Sequence, residues 1–315
     1  MKWLRTVLFA VMATACSDST ITTPPVAGTR DFVTHPTVEV QNMPTTLYAV
    51  SDIHGGYDRL VTLLFKNGVL TRVPAAPNQA EWNAGPAVLV IVGDMIDKGP
   101  QGLEVLELLR ALQTAATTRG GRVIALLGNH EAEFLAYPLN DLASKDGGID
   151  VELYARSLDP VSYAQGADPT GQWLRNQPLA AKVGRWFFSH AGSTQGRTIA
   201  ELESSLEQAL NIEGFPSNQL LGSDSLLQAR SWYDDATVTA NLAALDADHI
   251  VFGHDPNALG PRGAIGSGLS KRIFRIDCGL SPLINDSAGK LLVVRQDAAG
   301  EHVEEHDAAG VTRPL

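Results

Sequence analysis

The stretch Ala87-Val-Leu-Val-Ile-Val-Gly-Asp-Met-Ile-Asp-Lys-Gly99 constrains the fold most, because six apolar residues in a row end abruptly in a glycine and two carboxylates. Three other stretches share the pattern: Leu47-Tyr-Ala-Val-Ser-Asp-Ile-His-Gly55, Val123-Ile-Ala-Leu-Leu-Gly-Asn-His-Glu131 and Ile250-Val-Phe-Gly-His-Asp255. Short apolar runs stopped by glycine read as strands of a sheet covered on both faces. Open α/β sheets place their chemistry beyond the carboxyl ends of such strands, so the Asp, Asn and His residues are expected to converge.

Helical spacing fills the gaps between these runs. Leu60, Leu63 and Leu64 form an apolar stripe between Tyr57 and Lys66, and Leu103, Leu106, Leu109 and Leu112 form one after Pro100, closed by Gly120-Gly121. Strand, helix, strand at this length is a right-handed crossover. From 131 to 185 the pattern breaks into short helices and loops, read as an insertion that shapes a pocket. Strand pattern resumes at Trp186-Phe-Phe-Ser-His-Ala-Gly192, helices fill 197 to 246, and strands return at 249–253, 272–277 and 290–295. The expected domain runs over 45–297, with an acidic tail at 298–315 in which His302 and His306 are solvated.

With 315 residues, 44% of them hydrophobic, the chain can bury a large core. The formal charge of -11, with no cluster of Lys or Arg, argues against nucleic acid as a partner. The amino terminus carries Lys2 and Arg5, an apolar core and small residues before Cys16, which is export-signal anatomy too short for a permanent span. Residues 1–15 are expected to be removed. Ala13-Thr-Ala-Cys16 resembles the lipobox of bacterial lipoproteins, with Ala13 where leucine is usual; an ordinary signal cut at the same bond is the alternative. Residues 16–44, rich in Ser, Thr and Pro, read as a flexible tether. With Cys16 and Cys278 as the only cysteines there is no disulfide framework. The expectation is a monomer on the periplasmic side of a bacterial cell envelope, lipid-anchored at Cys16, or secreted; the membrane is met only through the lipid.

A pair of hard divalent ions needs a carboxylate that touches both, with imidazole, carboxylate and carbonyl ligands on either side. Asp94 sits centrally for the bridging task. Asp52 and His54, two apart on an extended chain, point the same way. Asn129 offers an amide oxygen, and His190 and His254 offer nitrogens.

Asp52-Ile-His-Gly55, Gly93-Asp-Met-Ile-Asp-Lys-Gly99 and Gly128-Asn-His-Glu131, in this order, resemble the signature of the phosphoprotein phosphatase branch of the calcineurin-like metallophosphoesterases. Ser189-His-Ala-Gly192 and Gly253-His254 resemble its later histidine motifs, and the form of the central motif is most similar to the bacterial Shewanella-like phosphatases. The resemblance covers about residues 46 to 280. It implies a four-layer α/β/β/α sandwich with mixed sheets and two divalent metals, Mn, Fe or Zn. Asp52, His54 and Asp94 would hold the first metal, and Asp94, Asn129, His190 and His254 the second. It further implies in-line attack of a metal-bridging hydroxide on a phosphomonoester, with His130 as the proton donor and Asp97 as its orienting partner.

The chain departs from the family where Asp-Arg-Gly is usual and Asp97-Lys-Gly99 stands instead. A lysine is a point charge without the bidentate fork, so Lys98 would hold phosphate less rigidly. Arg230, in Ala229-Arg-Ser-Trp-Tyr233, is the candidate for a second phosphate clamp. The implied substrate is a phosphoprotein, at Ser/Thr or Tyr, or a small phosphomonoester. A dinucleoside polyphosphate hydrolase is the same-fold alternative, and an inactive envelope lipoprotein that only binds partners is the alternative of another class. An acylated Cys16 sends the mature protein into the detergent phase on Triton X-114 separation, and Cys16→Ser returns it to water; partition of the unaltered protein into water would contradict the anchor.

Overall fold

Alternate residues of the central apolar run serve two different cores. In Val88–Val92, Val88, Val90 and Val92 pack into one cluster and Leu89 and Ile91 into another, and all five are buried. A strand buried on both faces needs no polar side, which is why the run is continuously apolar.

The computed structural model describes residues 30–139 and 148–315. Its first half contains β1 (Val38–Gln41), β2 (Thr46–Val50), α1 (Tyr57–Lys66), β3 (Val88–Val92), α2 (Gly102–Thr117), β4 (Arg122–Leu126) and α3 (Asn129–Ala136). Then follow α4 (Ile149–Ala155), α5 (Pro160–Ala164), α6 (Pro169–Arg175), β5 (Ala180–Val183), β6 (Trp186–Ser189), α7 (Ile199–Ile212), α8 (Asn218–Leu221) and α9 (Asp235–Leu245). The last part holds β7 (His249–Phe252), β8 (Gly266–Gly268), β9 (Ile273–Arg275), β10 (Lys290–Asp297), β11 (Gly300–Asp307) and β12 (Thr312–Pro314).

The strands form two mixed sheets, ordered β12-β11-β10-β2-β3-β4 and β1-β5-β6-β7-β9-β8. Within the first, β2, β3 and β4 run parallel, and in the second β6, β7 and β9 do. Leu47, Val90 and Ile124 from one sheet and Phe188, Val251 and Phe274 from the other fill the space between them. The opposite faces carry Tyr48, Ile91, Phe187 and Ile250, which join a second cluster with Leu60 and Leu63 of α1, Leu106 and Leu109 of α2, and Leu202 and Leu206 of α7. Helix, sheet, sheet, helix is therefore the layer order, in agreement with the expected sandwich.

The carboxyl ends of the parallel strands lie at one edge of the sandwich. β2 leads to Asp52, β3 to Asp94, β4 to Asn129, β6 to His190 and β7 to His254. The loops after β2 and β3 stay laddered past the strand ends: Asp52 N–H donates to Gly93 O at 3.1 Å, His54 N–H to Asp94 O at 2.9 Å, and Gly55 N–H to Met95 O at 2.9 Å.

The expected boundaries need three corrections. Residues 38–41 of the supposed tether are an edge strand, parallel to β5, and the Arg30 guanidinium before it donates to the carbonyls of His35, Pro36 and Gln177. The acidic tail forms β11 and β12, and β11 pairs with β10 along its whole length. Its acids meet Lys290 and Arg295, and His306 is buried against Asn67 and Glu304, whereas His302 is exposed as expected. The stretch 131–185 is also less separate than expected, because β5 within it is an interior strand between β1 and β6. The leader 1–15 and Cys16 lie outside the described residues. Deleting residues 299–315 should leave β10 as a bare edge and lower the melting temperature by about 10 °C or more, each kcal/mol being worth about 2–4 °C in a domain of this size. An unchanged melting temperature by calorimetry would mark the tail as dispensable.

Candidate metal centre

The loop after β3 is built on left-handed backbone. Asp94, Asp97 and Lys98 have φ of 52°, 60° and 51°, and Asp52, His54 and His254 in the facing loops have 52°, 46° and 63°. For residues other than glycine this costs about 1 kcal/mol or more each, and such clusters mark functional sites. Glycine is required where the loops touch: a Cβ at Gly128 would lie 2.2 Å from Asp94 Oδ1, and one at Gly93 would lie 2.7 Å from His190 Nδ1.

Glu131 on the first turn of α3 holds this loop. Its carboxylate is fully buried and accepts the backbone N–H groups of Gly128 (2.7 Å), Asp94 (3.0 Å), Met95 (2.7 Å) and Ile96 (3.0 Å). Burial, with Asp94 adding, raises the carboxyl to about 7, while the amides pull it back down. The residue was visible in the sequence motif, but its clamp was not, since three of the four donors come from another loop.

Asp94 then presents its two oxygens to two groups of imidazoles. Oδ2 lies 3.4 Å from His54 Nε2 and 4.0 Å from His130 Nε2, while Oδ1 lies 3.1 Å from His190 Nε2. The clusters are His54, Asp94 and His130 on one side and Asp94, His190 and His254 on the other. Asp52 stands 3.9 Å from His54 Nε2 and is fixed by the Ser51 hydroxyl at 2.5 Å and the His254 N–H at 3.2 Å.

The histidines have one ring nitrogen committed. His54 Nδ1 donates to Ile96 O (3.0 Å), His190 Nδ1 to Val92 O (2.9 Å) and His254 Nε2 to Gln228 O (3.2 Å). With each ring neutral, the other nitrogen is a lone pair facing oxygen lone pairs; without a metal, a proton on His190 Nε2 fills one of these gaps. Asn129 Oδ1 is 3.1 Å from His190 Nε2 and 3.0 Å from His254 Nδ1, its amide fixed the right way round by Nδ2 donating to Glu133. Acceptor against acceptor at these distances is repulsive unless a proton or cation lies between, and carbonyl-anchored imidazoles are the usual support of a metal ligand. Burial lowers His54 and His254 to about 3, keeping both neutral. His190 is raised to about 10, because Asp94 outweighs the burial that opposes it. Against the burial of Asp94 itself, which raises it, His190 and His130 hold its carboxyl well below the usual carboxylate range. These mixed nitrogen and oxygen donors fit divalent metal ions, with Asp94 placed to be shared.

His130 is tied to a different partner. Its Nδ1 donates to Asp97 Oδ2 at 2.8 Å, and Asp97 Oδ1 accepts the Ile149 N–H at 2.8 Å. Despite burial, Asp94 and Asp97 raise His130 above the ordinary imidazole value; burial raises Asp97. Nε2 remains to face the site as a donor.

A cavity of about 480 Å³ opens over these groups, with Lys98 and Arg230 on its walls. Lys98 Nζ is 3.4 Å from His54 Nε2, and Arg230 is half-exposed with Nη1 3.3 Å from Asp255 Oδ1. Tyr233 is directed to Asp255 as well, at 2.6 Å, while Asp234 caps α9 and Asp235 pairs with Arg272, so neither acid faces the cavity. Among the described residues, the walls come from 228–230, 254–262, 277 and 284 rather than from 131–185, which supports the site from behind through the Glu131 clamp, Glu133 on Asn129 and the Ile149 amide on Asp97. Sequence reasoning missed Gln228, Arg262 and Asp277 on these walls. Asp277 alone carried a signal, since it follows the apolar residues Ile273, Phe274 and Ile276. Cys278 beside it is buried, which pushes its thiol far up and leaves it no nucleophile. Replacing Glu131 by Gln leaves amide donors facing an amide group, and the chelated protein should lose about 1–3 kcal/mol in urea denaturation; an unchanged midpoint would show that the clamp carries no stability.

Residues 45–258 match the family described as calcineurin-like phosphoesterase. An uncharacterized protein of Schizosaccharomyces pombe is 28% identical over 262 residues, 75% of this chain and 74% of that one. A symmetrical bis(5'-nucleosyl)-tetraphosphatase of Escherichia coli is 30% identical over 174 residues, which span 54% of this chain and about half, 52%, of that enzyme. Among solved structures, the cold-active protein-tyrosine phosphatase of a psychrophilic Shewanella superposes with a TM-score of 0.68 at 21% identity, covering 88% of this chain and 82% of that one. A protein serine/threonine phosphatase of Saccharomyces cerevisiae gives 0.60 at 17%, covering 88% and 85%; both likenesses are of fold.

Proposed function

The chain belongs to the calcineurin-like phosphoesterase family, and from that premise we propose that it is a metal-dependent phosphomonoesterase acting on phosphoproteins, at Ser/Thr or Tyr, or on small phosphomonoesters. The observation that carries this reading is the division of Asp94 between two imidazole clusters, with the His130–Asp97 pair beside it.

In this reading Asp52, His54 and Asp94 hold one divalent ion and Asp94, Asn129, His190 and His254 the other. Bound there, the ions supply Lewis-acid activation of water and of a phosphoryl oxygen. His130 Nε2 delivers a proton to the leaving oxygen, and Asp97 fixes the imidazole so that Nδ1 stays protonated. Lys98 and Arg230 balance charge on the phosphoryl oxygens, Lys98 without the two-pronged grip of an arginine. Mn, Fe and Zn all suit the donor set. The envelope, through a lipid on Cys16 or by secretion, is the proposed location, and the chain is taken to act as a monomer.

The tetraphosphatase likeness supports a second reading, hydrolysis of dinucleoside polyphosphates, to which a third cation on the cavity wall, Arg262, is suited. The complete donor set and the His130–Asp97 pair speak against a binding protein without activity. Manganese-reconstituted protein assayed side by side on phosphotyrosine, phosphoserine and diadenosine tetraphosphate should turn over a monoester fastest; faster turnover of the tetraphosphate would favour the second reading. Asp94→Asn should abolish hydrolysis with the fold retained. His130→Asn should cost about 10²–10⁴ in kcat on alkyl phosphates and much less on p-nitrophenyl phosphate, whose leaving group needs no proton. Equal losses on both would remove His130 as the acid.

A further inference from the structure

β9 is a parallel neighbour of β7, and the register continues beyond both strands, where Ile276 N–H donates to Phe252 O at 2.8 Å. The residue that follows, Asp277, therefore emerges beside Gly253, which abuts the Asp52 carboxylate, and His254, whose N–H donates to it, at the same edge where the other strands deliver Asp94 and His190. Its side chain is 5% exposed and lies on the wall of the cavity over the two clusters.

Arg275 sets that position. Its guanidinium is completely buried and donates to the carbonyls of Ala258 (2.9 Å), Ala264 (2.6 Å), Pro261 (2.8 Å) and Asp277 itself (2.7 Å). These donors go to main-chain oxygens, so Arg275 pins the backbone of Asp277 without pairing its carboxylate. Oδ1 accepts the Gly279 N–H at 3.2 Å, and among the described residues no side chain donates to the carboxylate. Asp52 and Asp94 have the Ser51 hydroxyl and the imidazoles; Asp277 has neither. The cations on the walls are directed elsewhere, Lys98 to His54, Arg230 to Asp255 and Arg262 to Asp286, so three buried carboxylates round the cavity, one of them nearly bare, still call for positive charge between them.

We propose that Asp277 is an outer carboxylate of the metal centre, a positioning residue that strengthens cation binding on the Asp52 side by its charge and its free oxygen. This rests on the reading of the two clusters as divalent-ion sites. It gives β9 the same task as the other parallel strands, and gives the Arg275 staple a purpose beyond holding the 258–264 wall. A carboxylate that supports a bound ion from outside the ligand shell is worth about 10–100-fold in affinity.

The test is calorimetric titration of the chelated full-length protein with Mn²⁺, for the unaltered chain, Asp277→Asn and Asp277→Glu, with the melting temperature of each chelated form. Asp277→Asn keeps an oxygen for the Gly279 N–H and removes only the charge. One of two Mn²⁺ dissociation constants should rise by about 10–100-fold and the other stay the same, and Asp277→Glu should recover much of the loss. Chelated Asp277→Asn should melt no lower than the unaltered chain, because a repelling charge is gone. Unchanged Mn²⁺ affinities overturn the proposal, as does a raised KM with Mn²⁺ binding intact, which would make Asp277 a substrate contact. A lower melting temperature in the chelated variant would make it a structural residue and overturn it too. Failure of the unaltered chain to bind Mn²⁺ would instead remove the reading of the clusters on which it rests.

Discussion

The buried carboxylate of Glu131, accepting the amides of Asp94, Met95, Ile96 and Gly128, is the contact on which the site depends. The loop it holds contains three residues in left-handed conformation, Asp94, Asp97 and Lys98, at about 1 kcal/mol or more each. Hydrogen bonds contribute about 0.5–1.5 kcal/mol apiece, so four of them are of the size needed to offset that strain. What the strain secures is orientation. Asp94 divides its oxygens between two clusters, while Asp97, three residues later, holds the far ring nitrogen of His130.

The same economy of placement runs through the sandwich. Parallel strands in register end at one edge, and each contributes one or two polar side chains to it. The carbonyls of Val92 and Ile96 then orient the very imidazoles that gather round Asp94. Main chain and ligand-type side chains are thus parts of one network, and little freedom is left for the imidazoles to turn away.

Much of this was legible in the sequence because the signal was local. Apolar runs stopped by glycine located the buried strands, and Asp52, His54, Asp94, Asn129, His130, His190 and His254 stood directly at their ends. The illegible parts depended on distant partners. Residues 38–41 and 312–314 form edge strands and 300–307 the strand next to an edge; strands at the rim of a sheet can be polar and still pair, so none gave an apolar run to read. Asp277 was obscured because Arg275 interrupts its strand, and only the five carbonyls round that guanidinium explain a charge at a fully buried position.

The central claim is that Asp94 joins two ions in one site. Electron paramagnetic resonance of the chelated protein during titration with Mn²⁺ tests it most directly. Two equivalents should bind and give the broadened, exchange-coupled spectrum of ions sharing a carboxylate. A single equivalent, or two that show only the six-line spectrum of isolated Mn²⁺, would contradict it.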